Sequence, residues 1–307
     1  MNDVTQSREL LGVRHAALDF AMPAGACDCH THVFGPATRF GFDPARRYTP
    51  GDAVAADLLS HQRLLGLDRV VIVQPSPYGS DNACTVDGMV VLGPAMARGV
   101  AVIDAGTTDA ALAAMHAAGM RGARVNLETA GQSDPAAAAE ALRWTAGRVA
   151  PLGWHVQTFT RLAVIEALET VLAALPVPLV VDHFGHARAE AGTAQPGFGA
   201  LLRLLGSGRA YVKLSAPHRI AADPDGPEAA SLARALVAAN PERMLWGSDW
   251  PHPGGRPGAR PPPEQIEPFN PVDDGRALNR LARWAGDDAL LHRILVANPA
   301  HLYDFAA

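Results

Sequence analysis

Short apolar runs along the chain alternate with longer stretches in which Ala and Leu recur at helical spacing. The runs predict strands over Ala26–Val33, Arg69–Gln74, Gly99–Ile103, Gly122–Asn126, Trp154–Phe159, Leu179–His183, Ala210–Ser215 and Met244–Ser248. The helical patterns between them cover Ala53–Leu65, Asn82–Met96, Thr108–Ala118, Pro135–Val149, Leu162–Leu175, Gly197–Leu205 and Glu228–Ala239. Ser133-Asp134-Pro135 and Thr107-Thr108-Asp109 are strong helix-start signals, with a side-chain acceptor just ahead of the first turn. Strands that alternate with helices pair in parallel. Eight of them predict an α/β fold, a single (β/α)8 TIM barrel. Residues 1–22 read as an N-terminal tail, irregular or strapped across the barrel bottom. Residues 23–307 read as the barrel, closing with helical segments over Gly275–Trp284 and Asp288–Val296. No internal repeat or second domain is expected.

Two stretches break the rhythm. Phe34–Pro50 follows the first strand and is rich in Gly, Pro, Phe and Arg. Pro253–Pro271 follows the eighth and holds seven prolines in nineteen residues, too many for a regular element. Both leave strand C-termini, where barrel active sites are built, so both are expected to wall the pocket.

Composition narrows the class of partner. With 48 % hydrophobic residues, the 307-residue chain can bury a large core. The net charge of −5 leaves no electrostatic footprint for nucleic acid or an anionic membrane, and the basic residues are nearly all Arg. The polar start, Met1–Leu11, lacks a signal peptide's apolar run, and no stretch of some 20 apolar residues predicts a membrane span, so the cytoplasm is the expected location. Cys27, Cys29 and Cys84 are too few and odd in number for a disulfide framework. Cys27 and Cys29 share one side of a strand and read as small core residues. Homo-oligomerisation is left open.

The sharpest local signal is Asp28-Cys29-His30-Thr31-His32. Alternate strand residues face the same way, so His30 and His32 converge at the strand end, about 7 Å apart along it, where they can share a metal or an oxyanion. Val180-Val181-Asp182-His183-Phe184-Gly185-His186 brings His183 to the same rim, with His186 a weaker candidate. Leu245-Trp246-Gly247-Ser248-Asp249-Trp250-Pro251-His252 ends an apolar strand in a carboxylate placed to act as general base on water. An N-cap is the ordinary use of such an Asp, but Trp250-Pro251 disfavours immediate helix entry. Taken singly these signals are weak; together they form a constellation on one barrel face. Arg124 and Asn126 alternate on the fourth strand, and Arg219 follows the seventh. A guanidinium pointing into a barrel is costly unless it pairs, and its two parallel donors suit a carboxylate. The structural alternatives are a salt bridge to Asp104 or Asp249 for Arg124, and a solvated loop charge for Arg219. Gln74, Ser76, Tyr78, Ser80 and Asn82 offer further polar groups after the second strand.

At these residues the chain resembles the amidohydrolase superfamily, and within it the 2-pyrone-4,6-dicarboxylate lactonases. The resemblance runs from Cys27 to about Tyr303. It rests on Cys27–Pro36 with Arg47-Tyr48-Thr49-Pro50, Gln74 through Asp81-Asn82, Arg121–Asn126, Leu152-Gly153-Trp154-His155, Asp182–Gly185 and Leu245–Pro253. It implies hydrolysis of a carboxylated lactone, with Asp249 activating water and His30, His32 and His183 polarising the carbonyl. Arg124, Arg219, Asn126, Ser76, Tyr78 and His186 would bind substrate. It also bears on metal: many amidohydrolases hold divalent ions through such residues, whereas the pyrone-dicarboxylate lactonases work without one. The fourth and fifth strands carry no Lys to carbamylate, which argues against a binuclear site. No metal is therefore favoured; the alternative is one Zn2+ on His30, His32, His183 and Asp249. The chain departs from the pattern at Glu128-Thr129-Ala130-Gly131-Gln132, where further Arg is expected, at Phe159 in place of Tyr, and at His186 in place of Arg. Fewer cations imply a substrate with fewer carboxylates, a related muconolactone included. The alternatives are a sugar-acid lactone isomerase or lactonase of the same group, a metal-dependent decarboxylase, and a non-catalytic barrel.

Overall fold

The computed structural model describes residues 9–131, 134–254 and 261–306. Eight parallel strands lie side by side: β1 (Cys27–Thr31), β2 (Arg69–Val73), β3 (Ala97–Ala101), β4 (Met120–Asn126), β5 (His155–Phe159), β6 (Leu179–Val181), β7 (Ala210–Ser215) and β8 (Met244–Gly247). β8 returns to β1 and nearly closes the barrel: Thr31 bridges Trp250 in parallel, the Asp249 N–H donates to the His30 carbonyl at 2.8 Å, and the His32 N–H donates to the Trp250 carbonyl at 2.8 Å. Gly247 permits this approach, because a Cβ there would stand 2.5 Å from the His30 Cβ. Below it the buried Asp28 carboxylate accepts from the N–H groups of His30 (3.1 Å) and Ser248 (2.9 Å), stitching the two strand ends.

Between consecutive strands run α1 (Ala55–Leu65), α2 (Ala83–Leu92), α3 (Asp109–Ala117), α4 (Pro135–Val149), α5 (Leu162–Ala173), α6 (Phe198–Gly206) and α7 (Pro227–Ala239). The start signals act as expected. Thr108 caps α3 by accepting from Ala111, and Asp134 caps α4 by accepting from Ala136 and Ala137; Ser133 lies outside the described residues. Leu58 and Leu65 of α1, Leu142 of α4, Ile165 of α5, Leu201 and Leu204 of α6 and Leu232 and Leu236 of α7 pack on the outward strand positions Val70, Ile72, Val156, Val181 and Val212. Inward positions make a second cluster, in which Cys27 and Cys29 join Val71, Val73, Val100, Val180, Tyr211 and Leu245. One expectation moves: the helix foreseen to Met96 ends at Leu92, where the Gly93 N–H closes on the Met89 carbonyl and Pro94 follows. Its strand therefore starts at Ala97 rather than Gly99.

Residues 9–19 lie against the loop after β8 and the helix that follows it. Glu9–Leu10 and Val13–Arg14 form a small hairpin. Ala16, Ala17 and Asp19 then bond in turn to the start of α8 (Asp274–Ala285): Ala16 N–H to Asp273 at 2.9 Å, and Asp19 N–H to Asn279 at 2.8 Å. The chain ends in a short helix, a π turn over Arg293–Ala297 and the helix Asn298–Tyr303.

Both irregular loops sit over the C-terminal rim. Thr49–Pro50 of the first pairs in parallel with Ile266–Glu267 of the second, and Phe34 stacks on Phe269, so the two walls are joined. Residues 255–260 of the second loop lie outside the described residues. Among the described residues, no helix is long and apolar enough to cross a membrane.

Candidate active site

β1, β6 and β8 end at one rim and bring His30, His32, His183 and Asp249 together. Asp249 is 1 % exposed. Its Oδ1 lies 3.5 Å from His32 Nε2, 3.7 Å from His30 Nε2 and 3.8 Å from His183 Nε2. Its Oδ2 accepts from Arg219, Nε at 3.1 Å and a terminal nitrogen at 2.8 Å. Two of these residues are held in left-handed backbone, His183 at φ 46° and Asp249 at φ 69°, conformations that non-glycine residues adopt rarely and at a cost. The turn re-aims each side chain from the strand axis to the rim.

The ring orientations are set from outside. His32 Nδ1 is 2.7 Å from the Val73 carbonyl, an acceptor only, so Nδ1 carries a proton and Nε2 is the nitrogen that faces Asp249. His183 Nδ1 meets the Ser215 hydroxyl at 2.7 Å. Burial, reinforced by the Lys213 ammonium, lowers His30 to about 3, and burial holds His183 well below its ordinary value against the pull of Asp249. Both rings are neutral at working pH. Burial alone would raise Asp249, but the Arg219 guanidinium and the imidazoles more than offset it and hold the carboxyl well below the usual range. The site thus offers an ionised carboxylate beside the neutral imidazoles of His30 and His183.

Beneath lies a polar layer inside the barrel. Asp182 Oδ2 accepts from Arg124 Nε (3.2 Å) and Gln157 Nε2 (3.0 Å). Its Oδ1 stands 3.2 Å from His30 Nδ1 and 3.5 Å from Lys213 Nζ, at ion-pair distance but outside hydrogen-bond alignment. Arg124 therefore has an ionic partner, though neither Asp104 nor Asp249, and its guanidinium lies over the Phe159 ring at 5.4 Å. Arg219 is engaged with Asp249 and the Pro253 carbonyl rather than solvated.

The chamber at this rim is small, about 60 Å3, and is lined by His32, Tyr48, Ser76, Arg124, Asn126, Phe159, His183, Arg219 and Asp249. A larger hollow of about 360 Å3 adjoins it across Ser76, Arg124 and Asn126 and opens past Arg46 and Arg47. The rim histidines His32 and His183 and the Asp249 carboxylate line the smaller space and not the larger. Two expected binding residues are elsewhere. Tyr78 turns away from the chamber and packs on Phe34 and Phe42, its hydroxyl accepting from the Gly35 N–H at 2.8 Å. His186 backs onto Phe159, 4.7 Å between ring centroids, and lines neither chamber. Tyr48 fills the place foreseen for Tyr78; burial pushes its phenol up to about 12, so it stays a donor. Sequence reasoning gives no role to Tyr48, Gln157, Asp182 and Lys213. The signal for Lys213 was available: it is the chain's only lysine, set between Tyr211 and Ser215 on an apolar strand.

Residues 27–305 match the family model described as amidohydrolase. The chain belongs to the amidohydrolase family. The 2-pyrone-4,6-dicarboxylate hydrolase of Comamonas testosteroni is 35 % identical over 92 % of this chain and 92 % of its own length. The 4-sulfomuconolactone hydrolase of Rhizobium radiobacter is 34 % identical over 94 % of this chain and 93 % of its own. A crystal structure of an Agrobacterium tumefaciens protein superposes with a TM-score of 0.79 at 27 % identity, covering 94 % of this chain and 99 % of that one. It is thus an amidohydrolase-family barrel, and these two curated relatives, matched over 92 % and 94 % of the chain, are named hydrolases.

His30, His183 and Asp249 also place one ligand atom each within 4.8 Å of one another, and His30 Nε2 is buried without a hydrogen-bond partner among the described residues. A tetrahedral ion with ligands near ~2.1 Å has ligand–ligand edges of about 3.4 Å. The triad therefore fits a divalent ion.

Proposed function

We propose that this enzyme hydrolyses a lactone whose ring bears an anionic substituent. The observation that carries the reading is Asp249: one carboxylate oxygen ringed by three imidazole nitrogens, the other gripped by Arg219, in a chamber whose wall includes Arg124. Both named relatives are hydrolases, and each name specifies a ring with an acidic group, carboxylate or sulfonate.

In this mechanism Asp249 takes a proton from water, and the oxygen attacks the lactone carbonyl. A ring N–H from His30 or His183 holds the developing oxyanion. The tetrahedral intermediate collapses, the ring C–O bond breaks, and the leaving oxygen receives the proton Asp249 has carried. Arg124, Tyr48, Ser76 and Asn126 hold the anionic substituent, with Arg219 bridging it and Asp249. The reading favours direct action by the imidazoles; a divalent ion bound by His30, His183 and Asp249 would instead supply Lewis-acid activation of water.

The test is a panel of carboxylated, sulfonated and sugar-acid lactones, followed by loss of ring absorbance, with solvent 18O in the product and metal content as purified. Incorporation of one 18O into an opened carboxylated or sulfonated lactone is expected, undiminished by chelator. Turnover only of sugar-acid lactones without 18O would make the enzyme an isomerase. Release of CO2 would make it a decarboxylase. Chelator-sensitive turnover with about one zinc per chain would move the chemistry to a bound ion.

A further inference from the structure

Lys213 is the only lysine among 307 residues, and it lies 0 % exposed in the barrel interior. An unpaired ammonium there would be costly, so its surroundings define what it does. An ammonium has three donors and no acceptor. Three groups face them: Gln157 Oε1 at 2.7 Å, His30 Nδ1 at 3.2 Å and Asp182 Oδ1 at 3.5 Å. The contact with His30 decides the position of a proton. His30 Nδ1 is close to both Lys213 Nζ and Asp182 Oδ1, each 3.2 Å away. It can accept from the first or donate to the second, not both. The Lys213 contact is aligned as a hydrogen bond, and the Asp182 contact is not. Asp182 is already satisfied on its other oxygen by Arg124 and Gln157.

We propose that Lys213 is a positioning residue that fixes His30 in its Nε2–H tautomer, making it a hydrogen-bond donor toward the substrate carbonyl and a poor metal ligand. The two consequences have one cause. With Nδ1 occupied as an acceptor, the ring proton sits on Nε2, which faces the chamber 3.7 Å from Asp249 Oδ1. A metal needs Nε2 bare, with Nδ1–H handed to a carboxylate behind the ring. Asp182 is placed to receive that proton, and Lys213 keeps it from doing so. The barrel interior thus holds both the group that would prepare His30 for a metal and the group that prevents it. The role of the Nε2–H in catalysis rests on the lactonase reading; the tautomer does not.

The experiment is 15N spectroscopy of histidine-labelled wild-type enzyme, with His30 assigned by comparison with His30→Asn. A proton-free Nδ1 and a protonated Nε2 are expected; a protonated Nδ1 overturns the proposal. Lys213→Met should move the proton to Nδ1, raise zinc affinity measured by titration calorimetry, and lower kcat on the order of 10²-fold with KM nearly unchanged. Lys213→Arg, which retains charge and donors, should restore the wild-type tautomer. Lys213→Met with an unmoved proton would reduce Lys213 to a structural cation and overturn the proposal. Should Lys213→Met fail to fold, the wild-type and Lys213→Arg spectra decide alone. A wild-type Nε2–H in an enzyme that opens no lactone would leave this inference standing and remove the lactonase reading.

Discussion

Replacing Asp182 by Ala should destabilise the enzyme far more than replacing Lys213 by Met, although both belong to one network. The reason is charge balance. Asp182 is buried, is paired with Arg124 at 3.2 Å and faces Lys213 at 3.5 Å, so one carboxylate serves two interior cations. Removing it strands both. Breaking a buried pair by deleting one partner typically costs about 3–5 kcal/mol, because the remaining charge is uncompensated. Here two charges remain, so the upper end of that range applies. Removing Lys213 instead leaves Arg124 and Asp182 matched one to one. Met fills most of the lysine stem's volume, and only the Gln157 and His30 contacts are lost, which sets the cost at roughly 1.5–3 kcal/mol, the range of hydrogen bonds made by a charged group. Guanidinium denaturation of wild type, Asp182→Ala and Lys213→Met would measure both. For a protein of this size, 5 kcal/mol lowers the melting temperature by roughly 10 °C. Equal losses in the two variants, or a loss below about 1 kcal/mol for Asp182→Ala, would refute the view that this layer is an ionic network with a surplus of positive charge.

Two further outcomes follow from the same geometry. Asp249→Asn should lower kcat by about 10²–10⁴-fold with an unchanged circular dichroism spectrum, and near-wild-type turnover would remove Asp249 as the base. His252 anchors the loop after β8 through Asp274, Nε2 to Oδ2 at 3.0 Å, and His61 reaches the same oxygen at 2.8 Å. Burial pulls His252 down, but Asp274 more than offsets it, so its folded pKa lies above the ordinary 6.5. The stabilisation is then fully present below pH 6.5 and is lost as pH rises through the folded value. The stability advantage of wild type over His252→Gln should shrink between pH 6 and pH 9, and a difference independent of pH would contradict the pair.

The barrel was legible because each strand is covered on both faces and so reads as a short apolar run, as in Arg69–Val73 and Leu179–Val181. The strand after α2 starts at Ala97, two residues ahead of the expected Gly99, and so takes in Arg98. Its guanidinium in fact leaves the sheet to bond the Tyr303 and Asp304 carbonyls. The four rim groups were legible because each sits at the end of such a run, where strand alternation fixes direction. Past the strand end that rule lapses. Tyr78 lies on a 3-10 turn and His186 follows three residues of positive φ, His183 to Gly185, and in each case the backbone carries the side chain away from the chamber. The partners of Arg124 and Arg219 depend on which strands become neighbours around the barrel, a long-range fact that no local pattern encodes.

Arg219 shows how far that long-range fact reaches. The family resemblance implies a substrate clamp, yet the guanidinium spends two donors on Asp249 while its side chain remains 14 % exposed to the chamber. It therefore sets the base as well as facing the substrate. After burial, which raises Asp249, Arg219 is the strongest influence on that carboxyl, and it lowers it. Arg219→Met should release Asp249 upward. The free enzyme must hold Asp249 ionised, so the acid limb of kcat/KM should move to higher pH in the variant, and KM should rise because a donor to the substrate anion is also lost. A pure clamp would raise KM and leave the limb in place. A pure partner of Asp249 would move the limb and leave KM unchanged. The pH profile of kcat/KM, measured beside KM on one lactone, separates the three, and only the combined change agrees with a guanidinium shared between base and substrate.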